Sequence, residues 1–182
     1  PSFSPMGFWQ LVKEYNVTWF SAVPTMFQSV LSRTRGKSMA GDNKLRFIRS
    51  CSAALSPTTL KEMEEISGVP VVEAYGMTEA AHQMASNLLP PGQRVPGSVG
   101  QGTGVKIGIM DEKDDLQPIG TIGEVVINGS NVIDGYESNP EANESSFVGQ
   151  WFRTGDRGVL NEDGILTLQG RLKELINRSG EK

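Results

Sequence analysis

Cysteine, histidine and long apolar runs are scarce in this 182-residue chain, and each scarcity excludes a class of protein. The single cysteine, Cys51, excludes an internal disulfide and a cysteine zinc cluster, and the single histidine, His82, excludes a multi-histidine metal site. No apolar stretch approaches the roughly 18 residues that a membrane span requires. Basic residues are too few for a nucleic-acid clamp, because 17 Lys and Arg against 21 Asp and Glu leave a formal net charge of −4.

Helix and strand signals alternate over the first half of the chain. The predicted elements are a helix after Ser4-Pro5, a strand over 17–23, a helix from Pro24, a strand over 45–50, a helix capped by Ser56-Pro57 and ended by Gly68, and a strand over 69–74. Strands separated by helices of about ten residues are typical of βαβ units. The segment therefore predicts an α/β fold with a parallel sheet.

After about residue 87 the helical signals become rare. Short strands are predicted over 105–109, 123–128, 151–153, 158–160 and 165–168, with one short helix at Asn139-Pro140 and a hairpin turn at 161–164. Closely spaced short strands favour a small antiparallel β-barrel or sandwich. We place the boundary near residues 90–97, which gives a parallel βαβ layer over 1–94 and a β-rich, barrel-like subdomain over 95–170.

The segment Glu73-Ala74-Tyr75-Gly76-Met77-Thr78-Glu79 directly follows an apolar strand. Open α/β sheets bind ligands where their parallel strands end. Gly76 would let the backbone approach a ligand closely, and Thr78 and Glu79 offer a hydroxyl and a carboxylate suited to a phosphate and its Mg²⁺. Taken alone, the pattern fits a simple strand-end turn with a capping Thr-Glu equally well.

Two segments further along the chain carry charged side chains next to glycine. In the segment 151–156, Asp156 follows a glycine at a predicted strand end, where its carboxylate could accept hydrogen bonds from the two hydroxyls of a ribose. In the segment 170–176, Arg171 and Lys173 lie beside a glycine, and Arg171 could bind phosphate or ribose oxygens. Each pattern by itself is more typical of an ordinary solvated turn.

Taken together, these segments resemble the motifs of the adenylate-forming superfamily, which includes acyl-CoA synthetases, peptide-synthetase adenylation domains and firefly luciferase. The matching segments occur in the family's order and are Tyr75–Glu79, Gly123–Gly129 with Gly135-Tyr136, Arg153–Asp156 and Gly170–Lys173. The resemblance covers nearly the whole chain. It implies an enzyme that activates a carboxylate with ATP and Mg²⁺, releases pyrophosphate and passes the acyl group to coenzyme A.

The resemblance implies roles for residues near the phosphates and the ribose. Thr78 is expected to hold the α-phosphate of ATP, and Glu79 is expected to bind the Mg²⁺. Asp156 is expected to bind the ribose hydroxyls, and Arg171 to contact ribose or phosphate. Lys173 aligns with the family's hinge residue, about which a C-terminal domain moves between the two half-reactions.

Further roles concern the adenine of ATP or AMP. Glu73 is expected to face the adenine amino group, and Tyr75 to lie along the adenine face. The small residues Ser52, Ala53 and Ala54 correspond to the family's adenine loop, where the backbone must approach the purine edge. The remaining residues of the first motif are expected to line the nucleotide and are Ala74, Gly76 and Met77.

Two parts of the family pattern do not occur in this sequence. The Ser/Thr/Gly-rich phosphate loop would precede Pro1, and the C-terminal domain with its catalytic lysine would follow a hinge segment over 171–182. We therefore expect the chain to be the middle of a longer synthetase, located in the cytoplasm or in peroxisomes, and inactive by itself. The alternative is a nucleotide-binding or interaction module of this length without catalytic activity.

Substrate choice depends on the residues that flank the expected acyl pocket. Ser52 and His82 are polar there, and two polar groups suit a small acid with a second carboxylate. The combination resembles the oxalate–CoA ligases of plants and fungi, a peroxisomal-type branch of the superfamily. Two alternatives stay open: His82 caps the following turn, or the substrate is a medium-chain or aryl acid, as in relatives of 4-coumarate–CoA ligase.

Overall fold

The computed structural model describes residues 3–34 and 37–172. Its elements in chain order are α1 (Phe8–Glu14), β1 (Trp19–Ala22), α2 (Pro24–Thr34), β2 (Phe47–Ser50), α3 (Pro57–Ser67), β3 (Val71–Tyr75), a short 3₁₀ helix (Thr78–Ala80), β4 (Ala85–Ser86), β5 (Gln101–Gly102), β6 (Lys106–Met110), β7 (Ile122–Asn128), α4 (Pro140–Ser146), β8 (Phe147–Val148), β9 (Trp151–Leu160) and β10 (Leu166–Arg171). They form two compact units. The first contains the residues up to Tyr75 with Asn87–Gly97, and the second contains Gly76–Ser86 and the residues from Ser98 onward.

The first unit is built on the parallel strands β1, β2 and β3, which pair in that order. Helices α2 and α3 pack against each other and contribute to one core, whose most deeply buried members include Phe27, Ile48, Met63 and Val71. All five residues of β3 are buried, as expected for a strand covered on both faces. The predicted α/β segment with a parallel sheet is confirmed.

The helix boundaries follow local capping signals, with one exception. As predicted, Ser56 caps α3 by accepting the backbone N–H of Thr59 at 3.1 Å, and Gly68 ends the helix in the left-handed conformation. The prediction that the first helix starts at Ser4-Pro5 is wrong. Gly7, with φ 76°, interrupts the helical path, so α1 begins only at Phe8. Among the described residues, no helix combines the length and the apolarity that crossing a membrane would need.

The second unit is built on an antiparallel sheet in the order β10-β9-β7-β6, with β8 paired to β9. Its core includes Val125, Ile127, Phe152 and Leu166, all almost completely buried. The predicted antiparallel β-rich unit is confirmed. The prediction of separate strands over 151–153 and 158–160 is wrong, because β9 runs without interruption from Trp151 to Leu160.

Residues Gly76–Ser86, which the sequence assigned to the 1–94 segment, fall in the second unit instead. The cause is a set of hydrogen bonds that local sequence patterns do not reveal. The side-chain amide of Asn131 donates to the carbonyl oxygens of Ala80 at 2.9 Å and Gln83 at 3.0 Å. The loop after β3 is therefore held by the loop after β7.

Candidate functional site

The motif that ends β3 turns sharply at Gly76. A Cβ atom at this position would lie 2.3 Å from the carbonyl oxygen of His82 and 2.9 Å from the backbone nitrogen of Gln83. The chain after the 3₁₀ helix thus returns directly across Gly76, and backbone atoms cannot move aside as a flexible side chain could. A glycine is required here for the loop's own packing, which is a reason different from the close ligand approach that the sequence suggested.

Glu79 has its carboxylate oriented by a tyrosine from the following segment. The Tyr136 hydroxyl donates to Glu79 Oε1 at 2.9 Å. The side chain of Asn143 holds Tyr136 in place, since it accepts the Tyr136 backbone N–H at 2.6 Å and donates to its carbonyl at 3.0 Å. Burial raises the pKa of the Tyr136 hydroxyl, and the hydrogen bond to Glu79 raises it further. The Tyr136 phenol is therefore kept neutral and donates its proton to the hydrogen bond with Glu79.

A single carboxylate is a sufficient protein ligand for Mg²⁺ when a substrate phosphate and water complete the coordination. Thr78, the first residue of the 3₁₀ helix, is exposed beside Glu79, and Met77 precedes it in an extended conformation. Within the described residues, no group of three or more His, Cys, Asp or Glu side chains could hold a metal ion. A Mg²⁺ ion at Glu79 would therefore need its other ligands from a phosphate and water.

Glu73 is a carboxyl group inside β3, with only 6% of its surface exposed. Its Oε2 accepts the backbone N–H of Gly97 at 3.1 Å. Burial raises the pKa of Glu73 to about 7, and the hydrogen bond from Gly97 opposes this shift. Its strand neighbours Ala74 and Tyr75 are also buried. The predicted adenine-facing residues are therefore held rigidly within the first unit.

Ser52, Ala53 and Ala54 form an exposed loop directly after β2. Ser52 adopts a φ of 70°, a left-handed conformation that is uncommon for a residue other than glycine. Its hydroxyl donates to Cys51 Sγ at 3.7 Å. The structure thus places small side chains and exposed backbone at the predicted adenine loop.

His82, the predicted substrate-reading residue of the second unit, is exposed. It follows Ala81, and both residues have positive φ values, 61° for His82 and 50° for Ala81. The backbone N–H of His82 donates to the carbonyl of Met77 at 2.9 Å, which closes the turn after the 3₁₀ helix. Two consecutive left-handed residues are costly, and such strain is concentrated at functional sites in proteins.

Asp156 lies in a bulge within β9 and not at a strand end, which corrects the sequence-based interpretation. β7 pairs Glu124 with Arg157 and Val126 with Arg153, so β7 advances by two residues while β9 advances by four. The two extra residues bend the strand locally, as bulges do. Within the bulge Gly155 has a φ of 72°, a conformation that favours glycine.

The bulge is held by side-chain contacts that the local sequence does not predict. Glu124 Oε1 accepts the backbone N–H of Gly155 at 3.0 Å, and Glu124 Oε2 accepts from Arg153 Nε at 2.8 Å. This hydrogen bond raises the pKa of Arg153 above its usual value. The hydroxyl of Thr154 donates to the carbonyl of Val125 at 2.7 Å. The contacts of Glu124 depend on the register between β7 and β9 rather than on the local pattern.

The structure brings two of the predicted site residues together. Arg171 of β10 is the cross-strand partner of Asp156, and its Nε donates to Asp156 Oδ1 at 3.1 Å. The Asp156 side chain is 11% exposed, whereas that of Arg171 is 60% exposed. The backbone N–H of Leu172 donates to the carbonyl of Gly155 at 2.9 Å. Lys173, the predicted hinge residue, lies outside the described residues.

Comparison with known proteins gives consistent matches along the chain. The AMP-binding enzyme family matches residues 1–137. The oxalate–CoA ligases of Arabidopsis thaliana and Saccharomyces cerevisiae are 52% and 50% identical, each over 99% of this chain, which covers 35% and 33% of their lengths. The crystal structure of ATP-bound MatB from Rhodopseudomonas palustris is 34% identical with a TM-score of 0.85, covering 100% of this chain and 36% of that protein. The chain spans about a third of the length of these relatives.

Proposed function

The chain belongs to the AMP-binding enzyme family, and from this membership we propose that the whole protein is an ATP-dependent acid–CoA ligase. In the first step a carboxylate oxygen attacks the α-phosphorus of ATP and pyrophosphate leaves. In the second step the thiol of coenzyme A attacks the acyl carbon, AMP leaves and a thioester forms. The observation that carries the proposal is the identity of 50% or more to two acid–CoA ligases over 99% of the chain. A cytoplasmic or peroxisomal location is part of the same proposal.

In the second unit, the proposed nucleotide contacts lie on two rigid features. Asp156 binds the ribose hydroxyls, with Arg171 holding one carboxylate oxygen and contacting ribose or phosphate. Thr78 donates its hydroxyl to the α-phosphate, and Glu79, oriented by Tyr136, binds the Mg²⁺. The metal ion, when bound with ATP, neutralises charge that builds up on the phosphates as pyrophosphate leaves.

In the first unit, the proposed contacts serve the adenine. The exposed loop Ser52–Ala54 offers backbone groups to the purine edge because its side chains are small. Tyr75 lies along the ring face. Glu73 Oε2 is used by the Gly97 N–H, so Oε1 is the atom proposed to accept from the adenine amino group.

The ribose assignment is tested by replacing Asp156 with alanine in the full-length protein. The substitution removes two charge-assisted hydrogen bonds to the ribose, so nucleotide affinity is expected to fall by roughly 2–4 kcal/mol. Calorimetric titration with ATP and AMP measures this loss directly. Wild-type affinity in the Asp156→Ala protein would show that Asp156 does not bind the ribose.

We propose a short diacid, oxalate in the first instance, as the substrate. The oxalate–CoA ligases of Arabidopsis thaliana and Saccharomyces cerevisiae are among the relatives with half or more of their matched residues identical. Ser52 and His82 are both exposed and can each donate one hydrogen bond to a distal carboxylate. An apolar acid has no distal group that could accept either hydrogen bond.

The diacid proposal is tested by the His82→Val substitution in the full-length enzyme. Use of oxalate, measured as kcat/KM, is expected to fall by about 100-fold or more, since an unmatched charge in the pocket is costly. ATP affinity is expected to stay unchanged, and apolar acids are expected to improve relative to oxalate. If the wild type instead prefers hexanoate or coumarate, the medium-chain or aryl ligase is the correct alternative.

A further inference from the structure

We propose that Glu124 is a positioning residue, which holds the bulge of β9 so that Asp156 presents its carboxylate to the ribose. The inference rests on the proposed ligase function and assigns a role to a residue that does not itself contact the nucleotide. Four observations carry it: the geometry of the bulge, the burial of Glu124, the pairing of Arg153 and the fixation of the Asp156 backbone.

The bulge creates a backbone donor that the strand ladder cannot use. In a regular antiparallel pair, each N–H of β9 would face a carbonyl of a neighbouring strand. The two extra residues and the left-handed conformation of Gly155 turn its N–H out of this pattern. Glu124 lies on β7 at one end of the irregular stretch, and its Oε1 accepts that N–H at 3.0 Å. The Glu124 carboxylate thus takes the place of the backbone carbonyl that would accept this N–H in a regular β-ladder.

Burial makes this arrangement rigid. Only 7% of the Glu124 side chain is exposed, and a buried carboxylate is tolerated only when a cation and hydrogen-bond donors surround it. Arg153 supplies the cation, with Nε at 2.8 Å and Nη2 at 2.5 Å from Glu124 Oε2. Its Nη1 also contacts Asp114 Oδ1 at 2.7 Å, so the guanidinium is fixed by two acids. Glu124 therefore cannot change rotamer without leaving charge unpaired.

Hydrogen bonds from the same region also hold the backbone of Asp156. Thr154, between Arg153 and Gly155, donates its hydroxyl to the Val125 carbonyl and accepts the Asp156 backbone N–H at 3.1 Å. The residues directly before Asp156 are thus all held by atoms of β7. Because a bulge re-aims a side chain, fixing its backbone fixes the direction of the Asp156 carboxylate toward Arg171.

The test uses the full-length enzyme and compares ATP with 2′-deoxy-ATP. The wild type is expected to discriminate against 2′-deoxy-ATP by about 10–100-fold in kcat/KM, because one charge-assisted hydrogen bond to Asp156 is missing. Glu124→Gln keeps an acceptor for Gly155 but loses the ion pair with Arg153. Arg153→Lys keeps the charge but loses the two-nitrogen contact, and it serves as the second variant if Glu124→Gln does not fold. Glu162→Gln, on an exposed turn, is the matched control.

The positioning role predicts that Glu124→Gln and Arg153→Lys each reduce this discrimination by about 5-fold or more. The loss should appear as a raised KM for ATP, while Glu162→Gln behaves like the wild type. Unchanged discrimination in both variants, with Asp156→Asn abolishing it, would overturn the inference and leave the proposed function intact. If Asp156→Asn itself keeps the wild-type discrimination, the ribose assignment in the proposed function fails instead.

Discussion

Glu73 shows how a single buried group makes stability depend on pH. Its pKa is raised from 4.5 to about 7, mainly by burial, so the folded protein binds this proton more tightly than the unfolded chain does. The stabilising contribution is therefore fully present below pH 4.5 and is lost as the pH rises to about 7. The loss amounts to at most about 3.5 kcal/mol, since one unit of pKa corresponds to roughly 1.4 kcal/mol.

The substitution Glu73→Gln tests this contribution, because glutamine mimics the protonated carboxyl and keeps an acceptor for the Gly97 N–H. In the full-length protein, the thermal midpoint of the variant is expected to exceed that of the wild type at pH 8. The two proteins should become similar near pH 5. Glu62→Gln, an exposed carboxylate on the neighbouring helix α3, serves as the control. Equal midpoints for the Glu73→Gln protein and the wild type at pH 8 would contradict the buried, proton-binding assignment.

Among the structural elements, the loop after β7 and the loop after β3 are joined by several hydrogen bonds. Besides the Asn131 hydrogen bonds, the backbone N–H of Ile133 donates to the carbonyl of Glu79 at 2.8 Å, and Tyr136 orients the Glu79 carboxylate. Asn143 of α4 in turn fixes Tyr136 on both its N–H and its carbonyl. The proposed metal-binding carboxylate is thus positioned by an element more than 50 residues away in sequence.

Replacing Tyr136 with phenylalanine removes one hydroxyl and leaves the ring in place. The Glu79 carboxylate then loses its orienting hydrogen bond, which is worth about 0.5–1.5 kcal/mol. The affinity for Mg²⁺–ATP, measured by calorimetry on the full-length protein, is expected to fall by about 3–10-fold. Tyr15→Phe, at an exposed position just after α1, should have no effect. A Tyr136→Phe protein with unchanged Mg²⁺ dependence would show that the hydroxyl has only a structural role.

The sequence predicted those elements whose signals are local. Ser56-Pro57 and Gly68 define the ends of α3 within one turn of the helix, so their effect depends on few other residues. The start of α1 was missed because the conformation of Gly7 outweighs the Ser4-Pro5 signal. The bulge of β9 and the role of Glu124 depend on register between residues 31 positions apart, which no local pattern encodes. The pairing of Asp156 with Arg171 was not predicted, because it depends on the register between β9 and β10.

For the whole molecule, we expect that the 182-residue chain does not catalyse adenylation by itself. The relatives are about three times as long, and positioning plus electrostatic stabilisation of the phosphates supplies most of the catalysis in phosphoryl-group chemistry. Besides Thr78 and Glu79, further groups for this stabilisation are expected in the remaining two thirds of such a protein. A pyrophosphate-release assay on the isolated chain with ATP, Mg²⁺ and oxalate measures adenylation directly. Robust turnover that depends on both ATP and the acid would contradict this expectation.

We propose that the full-length protein activates a short diacid with ATP, and this step can be measured by itself. Exchange of labelled pyrophosphate into ATP measures the first half-reaction alone, without coenzyme A, and a panel of acids can be compared under identical conditions. Rapid exchange is expected with oxalate, and little exchange with hexanoate, coumarate or no acid. Exchange with an apolar acid but not with oxalate would contradict the diacid assignment, and no exchange with any acid of the panel would contradict the proposed ligase function.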